Sequence, residues 1–189
     1  MLVAMSIVAS LLPSLPGPIT KFSGFPLLLG GLLLGPRTAF AVGCLTDLIG
    51  FMLRPTGPFF PGFTLTQGLT ALIPALMLGG RNPLTWLKLG DEKAPSTDQE
   101  ERKARLRASP VVSYLRLCLI FAITQLITSV FLVSYFRSQF VAGTPMDFEL
   151  TQRAIAQAAH VPVYTFMALG VLKALAETDL YSRLLKARR

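Results

Sequence analysis

The chain contains few of the side chains that enzymes and metal sites use for chemistry. Its 189 residues include one histidine and two cysteines, too few for a typical zinc site. Cys44 and Cys118 fall inside apolar segments, so a disulfide framework is not expected. The glycine-rich run of residues 30–37 lacks the Gly-Lys-Ser/Thr ending of a phosphate-binding loop. We therefore predict that the protein is not an enzyme and uses neither a metal nor a cofactor.

Charged residues are also scarce, at 15% of the chain against 52% hydrophobic residues. A soluble domain rarely carries so much apolar sequence, so we predict an all-α polytopic membrane protein. The length suits a single membrane domain, residues 1–189, folded as a compact bundle of six transmembrane helices. The predicted spans are about 2–12, 25–35, 38–53, 64–79, 111–136 and 153–175, with a polar loop at 81–110.

The distribution of Lys and Arg predicts how the bundle is oriented. Most of the 18 basic residues fall at Arg37, in the 81–110 loop and from Lys173 onward. The opposite side has only Lys21, Arg54, Arg137 and Arg153. Because basic residues accumulate in cytoplasmic loops, we expect both termini in the cytoplasm and the loop after Leu53 outside.

Two polar stripes descend from the predicted outer side. Residues four, three and four apart share one face of a helix. Placing polar side chains at membrane depth costs free energy, so their presence there suggests a function. The stripes are Gly43, Asp47, Gly50 and Arg54, and Arg153, Gln157, His160 and Tyr164. Asp47 would lie about 10 Å below the helix end; it either binds a ligand or forms a structural pair with Arg54 or a threonine. We regard Gln67 as a further ligand residue, whereas a lone buried His160 is more often a hydrogen-bonded packing residue.

The segment Arg54–Gln67 joins two of the predicted spans. It is too rich in Pro and Gly for a regular helix, and its prolines should stiffen it. Phe59, Phe60 and Phe63 on this segment predict a roof over a small-molecule site; the alternative is a connector whose rings touch lipid. Aromatic rings suit a flat heterocycle. The four outer basic residues suit carboxylates or phosphates, or they meet lipid headgroups.

The two segments that flank Arg54 carry a long motif. Residues 43–50 read Gly-Cys-Leu-Thr-Asp-Leu-Ile-Gly, and residues 55–65 read Pro-Thr-Gly-Pro-Phe-Phe-Pro-Gly-Phe-Thr-Leu. This pair resembles the substrate-binding S components of energy-coupling factor (ECF) vitamin importers, and most closely the folate-specific branch. The resemblance extends over about residues 2–79.

The resemblance implies a bundle in the plasma membrane of a prokaryote that binds its vitamin from outside. Its partners would be a transmembrane coupling subunit and two separately supplied ATPase subunits. The family's first helix meets the coupling subunit through an Ala-x-x-x-Ala face. Here Ala4 matches the second alanine, and Ser6 and Ser10 offer small residues for the same contact.

Folate also suits the predicted site on chemical grounds. A pterin is flat and presents an amino group beside a ring N–H, and the Asp47 carboxylate can accept from both. The anionic glutamate tail would meet Lys21, Arg54 or Arg153. Riboflavin, thiamin and cobalamin are the alternatives within the same importer class. Outside it, the alternatives are a self-sufficient secondary carrier for a small anionic heterocycle and a scaffold that binds no ligand.

Overall fold

The computed structural model describes residues 24–53, 55, 59–79, 81, 83, 110–141 and 145–176. This part of the chain contains helices and no strands, which confirms the predicted all-α fold. The helices are α1 (Gly24–Leu33), α2 (Pro36–Leu53), α3 (Pro61–Leu78), α4 (Pro110–Gln125), α5 (Val133–Phe136) and α6 (Met146–Ala176). Two π-helical stretches follow α4 and α5, namely Leu126–Leu132 and Arg137–Val141. Together these four segments form one continuous helical rod, the α4–α5 rod.

The helical segments have the lengths that a membrane protein requires. Among the described residues, four are long and apolar enough to cross a bilayer: Pro36–Leu53, Pro61–Leu78, Val111–Phe140 and Met146–Leu175. The helix α1 is apolar but has only 10 residues. The predicted span 2–12 and nearly all of the 81–110 loop lie outside the described residues, so the count of six spans stays a prediction.

The short helix α1 forms the centre of the bundle. Every residue from Phe25 to Leu32 is buried, as expected for a helix that is apolar on all sides. Its side chains meet α3, α4 and α6 in one core cluster: Phe25, Leu28, Leu29, Leu32, Leu78, Leu117, Ile120, Phe121, Val161, Tyr164, Ala168 and Leu172. A smaller cluster joins Leu27 to Ala39, Ala71 and Ala75 of α2 and α3. The other helices are therefore positioned around α1.

The helix α3 begins earlier than its sequence suggests. Pro61 occupies the first turn, where the missing N–H of proline costs no helical hydrogen bond. The predicted span began at Thr64, so the structure extends it by three residues, and Phe63 lies in the first turn of the helix. At the other end, Gly79 stops the helix with a left-handed φ of 59° and an N–H bond to the Leu76 carbonyl.

Glycines bring α2 and α3 into close contact. A Cβ at Gly43 would lie 2.5 Å from the Gln67 carbonyl oxygen and 2.8 Å from the Gly68 Cα. Gly31 of α1 is equally tight against the Ala71 backbone, whereas Gly35 faces only Thr38 of its own turn. Of the Gly31-x-x-x-Gly35 pair, only Gly31 mediates contact between helices. Because Gly43 is one turn from Asp47, this contact sets the position of Asp47 relative to α3.

We expect Gly43→Ala to lower the stability of the folded bundle by about 1–3 kcal/mol, because the added methyl must push α2 and α3 apart. The melting temperature of the purified protein in detergent measures the effect. Gly50→Ala on the same helix is the matched control, since a Cβ there would meet nothing within 4 Å. Equal melting temperatures for the two variants would contradict the packing role of Gly43.

Candidate functional site

Aromatic rings gather where α2 ends and α3 begins. The Phe60 ring stacks on Phe140 with centroids 4.9 Å apart and makes edge contacts with Phe136 at 5.3 Å and Phe63 at 5.7 Å. These contacts attach the α2–α3 connection to the end of the α4–α5 rod. Phe59 instead contacts Phe51 of α2 at 5.3 Å and is 45% exposed. We call this end of the bundle, defined by Phe60, Phe136 and Phe140, the aromatic end.

Asp47 is tied to α3 by a short hydrogen bond. The Thr64 hydroxyl donates to Asp47 Oδ2 over 2.6 Å, and the Cys44 thiol donates weakly to the Thr64 carbonyl at 3.8 Å. The threonine pairing expected as one alternative for Asp47 is therefore present. The bond from Thr64 occupies Oδ2 of Asp47, whereas Oδ1 of Asp47 has no hydrogen-bond donor among the described residues. Gln67 follows one turn after Thr64 and is half-buried.

A second polar group lies on α6 facing the α4–α5 rod. The Gln157 amide donates to the Ser129 hydroxyl over 2.8 Å. His160 is only 5% exposed, and its ring stacks on Tyr164 with centroids 5.4 Å apart and planes 13° apart. The Tyr164 ring in turn contacts Phe25 at 5.9 Å. The predicted stripe therefore reaches the central helix α1.

Several polar atoms of this α6 group are buried without a hydrogen bond to any described residue. They are Gln157 Oε1, both ring nitrogens of His160, Arg153 Nε and, on α5, Ser134 Oγ. His160 is thus packed as expected, but without the hydrogen bonds expected of a purely structural histidine. Buried polar atoms almost always have partners, and leaving one unpaired costs about 1–3 kcal/mol. The concentration of such atoms along one stripe of α6 is typical of a site that completes its hydrogen bonds with a bound molecule.

The π-helical stretch that follows α4 orients the residues opposite this stripe. The Val133 N–H bonds to the Thr128 carbonyl, five residues back, and π-helical turns often occur at functional sites. The hydroxyls of Thr124 and Thr128 donate hydrogen bonds to backbone carbonyls one turn earlier in the same rod, each over 2.8 Å. Ser129 instead accepts a hydrogen bond from Gln157 across to α6. Sequence periodicity alone gave no reason to separate Ser129 from the two threonines.

The sequence analysis missed Glu149. Its carboxylate lies 3.2 Å from Arg137 Nε and 3.4 Å from Arg153 Nε, and the residue is 9% exposed. The usable signal was its position four residues before Arg153, which places both on one face of α6. Arg137 and Arg153 are thus brought together around one internal carboxylate.

The two polar stripes belong to helices that pack on different neighbours. The helix α2 packs on α1 and α3, whereas α6 packs on the α4–α5 rod. Within the described residues, no hydrogen bond, ion pair or ring contact links the Asp47 group to the α6 group. Lys21 and Arg54 lie outside the described residues, as do Ala4, Ser6 and Ser10.

A cavity of about 440 Å³ lies between α4 and α6, far from the aromatic end. It is lined by Val111, Tyr114, Phe166, Leu169, Gly170 and Lys173. This lining is mostly apolar and includes none of the predicted site residues. We therefore assign the candidate site to the two polar groups and not to this cavity.

Comparison with known proteins identifies relatives of the chain. The family model described as "ECF transporter, substrate-specific component" matches residues 1–178. The curated protein "Folate transporter FolT" of Clostridium novyi (strain NT) is 35% identical over 74 residues, 38% of this chain. That match spans 43% of the relative's length. Among solved structures, "Crystal structure of FolT bound with folic acid" shares the fold with a TM-score of 0.61 at 19% identity, covering 95% of this chain and 91% of that one.

Proposed function

The chain belongs to the family of substrate-specific components of ECF transporters, and we propose that within this family it binds folate with high affinity. The observation that carries the proposal is the stripe of buried polar atoms at Gln157 and His160 that have no hydrogen-bond partner among the described residues, beside the Tyr164 ring. The choice of vitamin is supported by the curated folate transporter, which is 35% identical to this chain over 74 residues.

An elongated ligand such as folate can contact both polar groups. The molecule is elongated, with a flat pterin at one end and carboxylates at the other. Asp47 would accept the amino and ring N–H groups of the pterin through Oδ1, while Thr64 holds Oδ2. Arg153, with Lys21 or Arg54, would receive the anionic tail, and Gln157 and His160 would bond the polar atoms between. Phe59, Phe60, Phe63 and Gln67 would cover the ligand from the aromatic end.

The transport cycle that we propose follows from the family. The aromatic end faces outside, with both termini in the cytoplasm of a prokaryotic cell. The subunit binds folate there and delivers it within a complex with a transmembrane coupling subunit and two ATPase subunits. The coupling subunit would contact Ala4, Ser6 and Ser10 on the first helix.

Two measurements on the purified protein test this function. Folate titrated into the detergent-solubilised protein should bind stoichiometrically and saturably, and mass spectrometry should find folates retained from the host. Uptake should also cease when the ATPase subunits are deleted from the cell. Uptake that persists without them would support a secondary carrier instead, and absence of folate binding would overturn the proposal.

A further inference from the structure

Glu149 is a buried carboxylate held between two guanidinium groups at the mouth of the α6 stripe. Its two oxygens divide between the arginines: Oε1 lies 3.2 Å from Arg137 Nε, and Oε2 lies 3.4 Å from Arg153 Nε. The Arg137 side chain is 48% exposed, whereas the Glu149 side chain is 12% exposed. Arg137 is therefore open to solvent, whereas Arg153 lies on α6 one turn before Gln157.

The charge of this cluster leaves room for one more anion. Two guanidinium groups and one carboxylate carry a net charge of +1. Each guanidinium has five N–H donors, and one carboxylate cannot engage them all. The Nε of Arg153 makes no hydrogen bond of good geometry to any described residue despite its burial. These two guanidinium groups therefore keep donor capacity for a second anion besides Glu149.

We propose that Glu149 is the internal counter-ion of Arg137 and Arg153 and competes with the ligand's carboxylate tail, so that binding of the tail displaces it from both arginines. This inference rests on the proposed function, because it names the subsite for the anionic end of the same ligand. A ligand carboxylate and the Glu149 carboxylate are chemically equivalent partners for a guanidinium. They therefore compete for Arg137 and Arg153. Glu149 keeps the arginines compensated while the site is empty, and it weakens the binding of the tail.

Glu149→Gln tests the competition, since glutamine keeps the size of the side chain and removes its charge. Without the competing charge, the affinity for folate should rise about tenfold. A pterin that lacks the glutamate tail should bind the variant and the wild type equally. Asp147→Asn is the matched control: the same charge is lost two residues away, from an exposed side chain, and neither affinity should change. An unchanged or weakened folate affinity in Glu149→Gln would overturn the proposal.

Arg137→Gln gives a second test at a half-exposed side chain, and Arg153 stays beside Glu149 in this variant. Arg137 is half-exposed, so its loss should leave folding intact and lower the folate affinity about tenfold while sparing the tail-less pterin. An unchanged ratio of folate to pterin affinity in this variant overturns the counter-ion role alone. Failure of the wild-type protein to bind either probe overturns the proposed function and this inference with it.

Discussion

Asp47→Asn should lower the affinity for folate by about 100-fold or more. The carboxylate would accept two hydrogen bonds from the pterin amino and ring N–H groups, and truncating one partner of a buried, charge-assisted contact costs about 2–5 kcal/mol. Asparagine presents one acceptor and one donor group, so it can satisfy only part of that pattern. Equilibrium titration of folate and of the tail-less pterin measures the loss, which should be equal for both because Asp47 would bind the pterin end.

The hydrogen bond between Thr64 and Asp47 provides the control for this prediction. Thr64→Val removes the donor to Oδ2 but leaves the carboxylate in place. Its effect on folate affinity should therefore be small beside that of Asp47→Asn, although Thr64→Val loses the bond that ties α2 to α3. If the two variants lose stability alike and both keep wild-type affinity, Asp47 is a structural residue and does not bind the ligand.

His160→Phe should change stability and binding in opposite directions. Phenylalanine can keep the ring contact with Tyr164 and removes two buried nitrogens that have no hydrogen-bond partner among the described residues. The empty protein should become more stable by about 1–3 kcal/mol, since the cost of the unpaired atoms disappears. Folate affinity should fall by at least about tenfold, because a ligand that bonds those nitrogens loses its partners.

Melting temperature without ligand and titration with folate separate the two effects. Tyr164→Phe is a useful comparison, because it keeps the aromatic contact beneath His160 while altering only the hydroxyl. A purely structural histidine would give a different result in His160→Phe: lower stability, with the affinity for folate unchanged.

Much of the fold could be predicted from residue pattern alone. Long apolar runs have few stable states other than membrane helices, because every backbone N–H and C=O in a bilayer must be paired within the protein. The segments from Phe25 to Gly79 therefore appear as helices close to their predicted bounds. Where the bounds differ, local chemistry is responsible: Pro61 is favourable in a first turn, so α3 begins before the predicted Thr64.

The candidate site was only partly predictable. Helical spacing correctly grouped Arg153, Gln157, His160 and Tyr164, since four-, three- and four-residue steps define one face whatever the surroundings. Spacing could not reveal Glu149 between two arginines, because Arg137 belongs to a different helix. Nor could it show that Phe60 packs on Phe136 and Phe140 while Phe59 turns towards Phe51. Those choices depend on which helices are neighbours.

The sequence by itself determined that this protein is a helical membrane bundle and, through the motif around Asp47, which family it belongs to. Both follow from local properties: apolar length, residue periodicity and a contiguous pattern. Only the tertiary structure decided that α1 is the buried centre, that Thr64 bonds one oxygen of Asp47, and that the two polar stripes belong to helices with different neighbours. These features arise from contacts between helices, such as that of Gly43 with the Gln67–Gly68 backbone. Packing of this kind selects among many arrangements that the same apolar pattern allows.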